Sequence, residues 1–388
     1  MKRWDIFCKI VDNFGDIGVC WRLARQLNTE HGIDIRLWID DLNIARQLIP
    51  TLDVTQRIQQ IDSITVAAWD ENTRFEQATD AVDAVDAVIE TFGCELPQQY
   101  LLLMQPETAW INLEYLSAEA WVEGFHAQHS KRGNLRRHFF FPGFTQGTGG
   151  LLREHDIIEK NQNIAASQGL QTSFLQGLKL SPDHDSACLP ASLKVSLFCY
   201  PHAAISHLLA AMASSDINII CYVPATGILP NIAEFFAKHT VTAGDHLVVN
   251  NLSLHVLPFL SQADYDSLLA SCDINFVRGE DSWIRAIWAG KPFVWQPYLQ
   301  AEDTHITKLN AFLDLFYSGC ETNVRQAADS MHWHWASGQM TTPIWKNYLS
   351  HIVALRAFTE QKTLALAAQT DLATNLVIYI EKLHHNHI

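Results

Sequence analysis

At 388 residues, with 48% apolar and 10% aromatic side chains, the chain predicts two domains, since single hydrophobic cores rarely extend past about 250–300 residues. Its net charge of −15 and pI near 5.6 count against nucleic acid and anionic membrane as partners, because both reward basic patches. Asp5 interrupts the one early apolar run, so no signal peptide is expected. No stretch of about 18 uncharged apolar residues is available to cross a bilayer, and a cytoplasmic location with no membrane partner is expected.

Residues 4–10 alternate at Ile6, Cys8 and Ile10 and predict a first strand, followed by apolar positions at helical spacing over 19–27. A period-two strand is expected at 33–39, ending in Asp40-Asp41, with further strands at 87–92, 109–113 and 139–144. The glycine-rich turn 147–150 closes this half. Between about 154 and 189 the pattern loosens around Ser181-Pro182-Asp183 and Pro190, and an interdomain linker is expected there.

Alternation then restarts, with strands at 195–200, 217–223, 253–256, 273–277 and 292–295. Helices are expected at 203–213, 232–237, 263–270, 283–289 and 304–315, and one long helix at 363–383. Strands alternating with helices imply mostly parallel sheets covered on both faces. Two such α/β domains followed by a terminal helix have the layout of a GT-B glycosyltransferase, although a fold does not by itself fix a function.

Eight cysteines, Cys8, Cys20, Cys94, Cys188, Cys199, Cys221, Cys272 and Cys320, lie far apart with no C-x-x-C pair. Reduced thiols acting as small hydrophobes are expected. His332/His334 and His384/His385/His387 lack cysteine partners and a helical i, i+4 histidine pair with a carboxylate, so no metal site is expected.

The chemistry is placed at Asp12-Asn13-Phe14-Gly15-Asp16-Ile17-Gly18, a strand-to-helix turn at the mouth of a sheet. It holds two carboxylates four residues apart and two glycines, with no G-x-G-x-x-G and no Walker lysine. The plainer alternative makes Asp16 only a helix cap. Arg278-Gly279-Glu280-Asp281-Ser282 repeats the strand–turn–helix logic with a cation, and a helix start there favours phosphate. Asp281 or Ser282 can cap that helix, and Ser282 can also offer its hydroxyl to a phosphate oxygen. Glu280 suits a sugar or ribose hydroxyl, or merely a surface pair with Arg278 worth little. Phe198 and Tyr200 end one strand, and Phe259, Gln262 and Tyr265 recur at a spacing of three. Such rings can stack a base while an amide reads its edge, although aromatics at helical spacing are as readily core.

Residues 7–25 and 278–282 together resemble the EarP family of bacterial protein-arginine rhamnosyltransferases, which modify elongation factor P. The resemblance runs over essentially the whole chain, including 110–117 and 292–298, the latter with a residue order different from the family's loop. It implies a GT-B fold of two Rossmann-like, doubly wound domains facing a cleft, with a C-terminal helix crossing back to the first. The division expected is 1–180 plus 363–388 for the acceptor and 181–362 for the nucleotide sugar. It further implies dTDP-β-L-rhamnose (dTDP-rhamnose) as donor and an arginine side chain of elongation factor P as acceptor. Transfer would be inverting, with no cofactor and no metal.

By position, Asp16 is similar to the family's general base and Asp12 to its partner. Phe198, Tyr200, Phe259, Gln262 and Tyr265 then form the thymine and sugar pocket, and Arg278, Glu280, Asp281 and Ser282 the diphosphate and deoxyribose site. Asn13, Phe14, Gly15 and Glu114, with Tyr115 and Asp40 at strand ends, are candidates on the acceptor side. Two other readings stand beside this one: a GT-B transferase with a small or lipid-linked acceptor, and a nucleotide-sugar-binding protein without turnover.

Overall fold

A computed structural model describes residues 2–12, 14–75, 85–178, 192–300 and 304–385. Asn13, Cys188, His387, Pro190 and the Ser181-Pro182-Asp183 turn lie outside the described residues. The chain forms two compact units, Met1–His155 with Ala367–Ile388, and Asp156–Leu366.

In the first unit, β1 (Arg3–Cys8) leads into α1 (Phe14–His31), β2 (Asp34–Ile39), α2 (Leu42–Leu48), β3 (Ile58–Ile61) and β4 (Ile64–Ala68). Then come β5 (Val85–Thr91), α3 (Gln98–Leu103), β6 (Ala109–Leu113), α4 (Val122–Phe125), β7 (His129–Arg132) and β8 (Leu135–Phe140). The strands form one sheet in the order β3-β4-β2-β1-β5-β6-β8-β7, parallel except for the two edge hairpins β3–β4 and β7–β8. The chain winds outward from β1 through β2 to β4, then returns to β5 on the other side of β1. The order therefore reverses between β1 and β5, and the segment leaving β1 opens at that point, where ligands of open α/β sheets bind.

β1 is buried on both faces because it is central, and one of its buried residues is charged. Asp5, fully buried, accepts from Arg36 Nε at 3.0 Å, Trp38 Nε1 at 3.0 Å and Tyr100 Oη at 2.6 Å. Phe7, Trp38, Phe75 and Tyr100 pack edge to face and stacked around this network.

The second unit begins with α5 (Ile157–Ala166) and α6 (Gln168–Gly177), then β9 (Leu193–Leu197), α7 (Ile205–Ala213), β10 (Ile219–Pro224) and α8 (Leu229–Phe235). It continues through β11 (His246–Val249), β12 (Leu252–Leu257), α9 (Gln262–Ser271), β13 (Ile274–Arg278), α10 (Asp281–Ala289) and β14 (Phe293–Gln296). Four helices follow: α11 (Thr304–Phe316), α12 (Thr322–Ala336), α13 (Thr342–Ser350) and α14 (Ile352–Ala367). The sheet order is β11-β12-β10-β9-β13-β14, with only β11 antiparallel to its neighbour. Here the reversal falls between β9 and β13, at the loops carrying Tyr200 and Arg278.

Three expectations are corrected. Residues 157–177 are helices of the second unit rather than the end of the first domain. Asn161 Nδ2 donates to the Trp288 carbonyl at 3.0 Å, and Leu175 packs with Ile220, Tyr222, Leu257 and Leu268. The strand expected at 139–144 is instead β8, ending at Phe140 before Pro142.

The single helix expected at 363–383 is broken, and α15 (Leu372–His385) starts anew. Asp371 supplies the reason: its Oδ1 accepts the Thr374 N–H at 3.0 Å, and the Leu372 N–H is taken by the Leu151 carbonyl. The stretch Ile352–His385 is apolar enough on average to be a candidate membrane span. Its two helices of 16 and 14 residues are each shorter than the about 20 residues needed to cross. α15 packs with the first unit, where Tyr379 Oη meets His138 Nδ1 at 2.9 Å and Glu381 pairs with Lys2.

His332, on α12, is fully buried, and its Nδ1–H donates to the Ala328 carbonyl at 2.9 Å. Burial pushes its pKa down to about 4, so it is a neutral core residue. The unfolded chain takes up that proton near pH 6.5 and the folded chain only near 4. This contribution to stability is therefore complete above about pH 6.5 and is lost as pH falls toward 4, about 3 kcal/mol in all.

Denaturant titrations across that window should show a steeper acid loss for the native sequence than for His332→Leu; equal slopes would remove His332 as the cause. Replacing Asp5 by Ala strands the buried Arg36 and should cost about 3–5 kcal/mol, read from the urea midpoint.

Candidate active site

The turn after β1 is held by a side chain reaching back from the first turn of α1. Asp16, 2% exposed, accepts on Oδ2 from the backbone N–H of Val11 at 2.7 Å and of Asp12 at 2.8 Å. Both donors precede the helix, so Asp16 clamps the loop and does not cap the helix's own N–H groups. Its other oxygen, Oδ1, receives the Tyr115 hydroxyl at 3.2 Å.

Gly15 sits against Asp12, its N–H donating to the Asp12 carbonyl at 2.7 Å. A Cβ there would lie 3.0 Å from Asp12 Oδ2. A side chain at position 15 would therefore press on the Asp12 carboxylate and push it aside by a few tenths of an ångström. Phe14 opens α1 beside it.

Tyr115 reaches the site from the end of β6. Its ring stacks on Phe92 at 4.3 Å, and Phe92 adopts φ +56°, a left-handed conformation that a bulky residue holds only under constraint. Glu114 is half-buried and accepts from Asn112; burial raises its pKa against the opposing pull of Arg137 and Asn112. Asp40 accepts the Ile10 N–H at 2.9 Å, and burial raises its carboxyl as well. Cys8 is inert: its hydrogen bond with Cys20 and then its burial push the thiol well up.

The second turn uses the same device. Ser282, in the first turn of α10, accepts the Arg278 N–H at 3.0 Å and donates to the Arg278 carbonyl. Gly279 takes φ +61° between them. The serine hydroxyl anchors its own loop in this structure, and the N-cap position falls to Glu280, whose side chain does not cap. The Arg278 guanidinium lies 4.6 Å from the Phe198 ring centre and 4.4 Å from that of Tyr200, a paired cation–π seat. Tyr265 meets Phe198 edge-on at 5.5 Å; burial raises its phenol while Ser282 opposes the shift. Gln262, buried, starts α9, and Phe259, 37% exposed, precedes it at the end of β12.

The structure therefore joins Phe198, Tyr200, Tyr265, Arg278 and Ser282 around one loop pair, with Asp281 in the first turn beside them. The rings expected to hold a base also hold the arginine. His202, Gln296 and Tyr298 were not singled out. The Tyr200 N–H donates to Gln296 Oε1 at 2.9 Å, Gln296 Nε2 meets His202 Nε2 at 3.1 Å, and the Tyr298 ring packs edge-on against Tyr200. The signal for Gln296 was the register of β13 with β14, which sets it opposite Arg278. Among the described residues, no group of three or more His, Cys, Asp or Glu side chains is arranged to hold a metal ion.

Two doubly wound units, each with its polar turn at a strand-order reversal, define a GT-B glycosyltransferase. The solved MurG of Acinetobacter baumannii has this fold and aligns at TM-score 0.51 and 13% identity, over 98% of this chain and all of that one. The chain belongs to the EarP family, the elongation-factor P (EF-P) rhamnosyltransferases, whose sequence model matches residues 4–381. A protein-arginine rhamnosyltransferase of Pseudomonas putida is 40% identical over 378 residues, 96% of this chain and 97% of that one. A structure solved to explain EarP-mediated arginine glycosylation of translation elongation factor EF-P aligns at TM-score 0.71. It is 31% identical and covers 98% of this chain and 99% of its own.

Replacing Ser282 by Ala leaves the Arg278 N–H unpaired, and the expected cost is about 1–3 kcal/mol of stability by chemical denaturation. A change under about 0.5 kcal/mol would mean that other contacts hold this turn.

Proposed function

We propose that the chain transfers rhamnose from dTDP-β-L-rhamnose to an arginine side chain of elongation factor P, with inversion and without a metal ion. The observation that carries this reading is the clamped aspartate turn of the first unit in a chain matched to the family from end to end. The protein-arginine rhamnosyltransferases among its relatives support the arginine and the rhamnose, and the related structure, concerned with arginine glycosylation of EF-P, supports elongation factor P.

In this reading the first unit serves the acceptor and the second the nucleotide sugar. Asp16 is the general base. Two backbone N–H groups fix its Oδ2, so Oδ1 is the oxygen that meets the guanidinium, in place of or beside the Tyr115 hydroxyl. Asp12 shares the positive charge, as paired carboxylates do for a planar cation. A carboxylate near pKa 4 and a guanidinium above 12 differ by roughly 8–9 units, on the order of 11–12 kcal/mol, so the proton does not leave first. Asp16 orients the nitrogen toward the anomeric carbon and takes the proton as the N–C bond forms and that nitrogen turns acidic.

Arg278 and the start of α10 stabilise the departing diphosphate. Phe198, Tyr200, Phe259, Gln262 and Tyr265 enclose thymine and sugar, while Glu280 and Asp281 accept from hydroxyls.

Incubation with dTDP-rhamnose and elongation factor P should add one deoxyhexose to a single arginine, seen by mass spectrometry of the tryptic peptides. Asp16→Asn should lower kcat by about 100-fold or more while dTDP affinity holds. Wild-type turnover in that variant would remove Asp16 as base, and tight dTDP binding with no product would leave only a binding protein.

A further inference from the structure

Two histidines that the donor site above does not use interact with one another, and His202 stacks on the Tyr200 ring that also carries Arg278. The protonation geometry of His202 is decided by hydrogen bonding. The Tyr200 backbone N–H can only donate, so the Gln296 atom it meets at 2.9 Å is the amide oxygen. The Gln296 nitrogen then faces His202 Nε2 at 3.1 Å, and an amide nitrogen can only donate. His202 Nε2 is therefore an acceptor, and the ring is a neutral imidazole with its proton on Nδ1.

Protonating Nε2 would set N–H against N–H and break the relay to Tyr200. The His202 side chain is exposed, and its partial desolvation, then His305, then Arg278 lower its pKa. The imidazole lies parallel to the Tyr200 ring, 5.5 Å away at 10°, and Arg278 rests over that same ring.

The second histidine supplies an independent observation. His305, in the first turn of α11, is 8% exposed, and its Nδ1 has no hydrogen-bond partner among the described residues. A buried ring nitrogen without a partner is costly and calls for a ligand atom or ordered water. Around His202 there are thus a permanent cation over the shared Tyr200 ring, an imidazole whose N–H falls on Nδ1, and a second, buried imidazole, near enough to lower the His202 pKa, with a nitrogen in need of a partner. That set suits an anion with several acceptor oxygens spread over a few ångströms.

We propose that His202 binds the diphosphate of the nucleotide sugar as a neutral hydrogen-bond donor beside Arg278, with Gln296 as the positioning residue that holds it in its donor tautomer and the unpartnered His305 Nδ1 as a second contact. The assignment rests on the donor reading above. It also divides the work: Arg278 supplies charge, and His202 supplies direction without a further charge. Because His202 donates as a neutral ring, its contribution persists above its own lowered pKa, which a charge-only role would not allow.

The test is titration of dTDP and of thymidine, which lacks the diphosphate, at about pH 8, well above the lowered His202 pKa. His202→Phe and His305→Leu should each weaken dTDP by about tenfold or more and leave thymidine within about twofold. His202→Asn, whose amide N–H can replace Nδ1–H, should stay within about threefold of the native chain for both ligands. Thermal melting of each variant identifies one that fails to fold, and the His202 pair then decides.

Unchanged dTDP affinity in His202→Phe overturns the proposal, as does an equal loss for dTDP and thymidine, while the donor reading stands. A native chain that binds no dTDP overturns both.

Discussion

The functional turns of this chain depend on one device, used once in each unit. A side chain in the first turn of a helix folds back and hydrogen-bonds the backbone of the loop before it. Asp16 does this to Val11 and Asp12, and Ser282 does it to Arg278. A loop at the end of a central parallel strand has lost its ladder partners and would otherwise present unpaired N–H groups to a half-buried site. The clamp satisfies them and spends one polar group of each turn on geometry. What remains for chemistry is the other oxygen of Asp16, and the guanidinium of Arg278.

The two turns carry opposite charge and are stabilised differently. Asp16 is held by neutral donors, two backbone N–H groups and one phenol, so a cationic group approaching Oδ1 need not displace a resident salt bridge there. Arg278 is held by the faces of two aromatic rings. Ring faces orient a guanidinium without using its N–H donors, which stay available for oxygen ligands. In both turns the charged group is fixed by contacts that leave its hydrogen-bonding capacity for something else.

Away from the turns, the buried Asp, Glu and Arg side chains among the described residues are paired. Asp5 is surrounded by Arg36, Trp38 and Tyr100 under the first sheet, and Asp266 meets Arg285 in two hydrogen bonds between α9 and α10. Such pairs add little net stability over apolar packing, but breaking one is expensive. They tie together elements that frame the switch points: β1 to β2 and α3 in one unit, α9 to α10 in the other.

The alternation of strands and helices, the two polar turns and the apolar strands around them were legible from residue order alone, because strand and helix periods and strand-to-helix turns are local properties. Asp16 and Arg278 could be named for the same reason: each ends a strand and precedes a helix. Residues 157–177 were misplaced because a helix carries no mark of which core its buried face joins; Asn161 and Leu175 settle that only by contact. The break at Asp371 was hidden in a continuous helical pattern, since its capping bond competes with a helix that the same residues would otherwise extend.

What the residue order determined by itself is the fold class and the charge of each turn, which follow from spacing and residue type. What only the tertiary structure decided is which atoms are already engaged: that Asp16 spends Oδ2 on its loop, that the Ser282 hydroxyl serves its own loop, and that His202 Nε2 faces the Gln296 amide nitrogen. These are matters of partner and direction, and partners distant in sequence, such as Tyr115, Tyr200 and Gln296, are brought within hydrogen-bond reach by sheet register and the loops at strand ends alone.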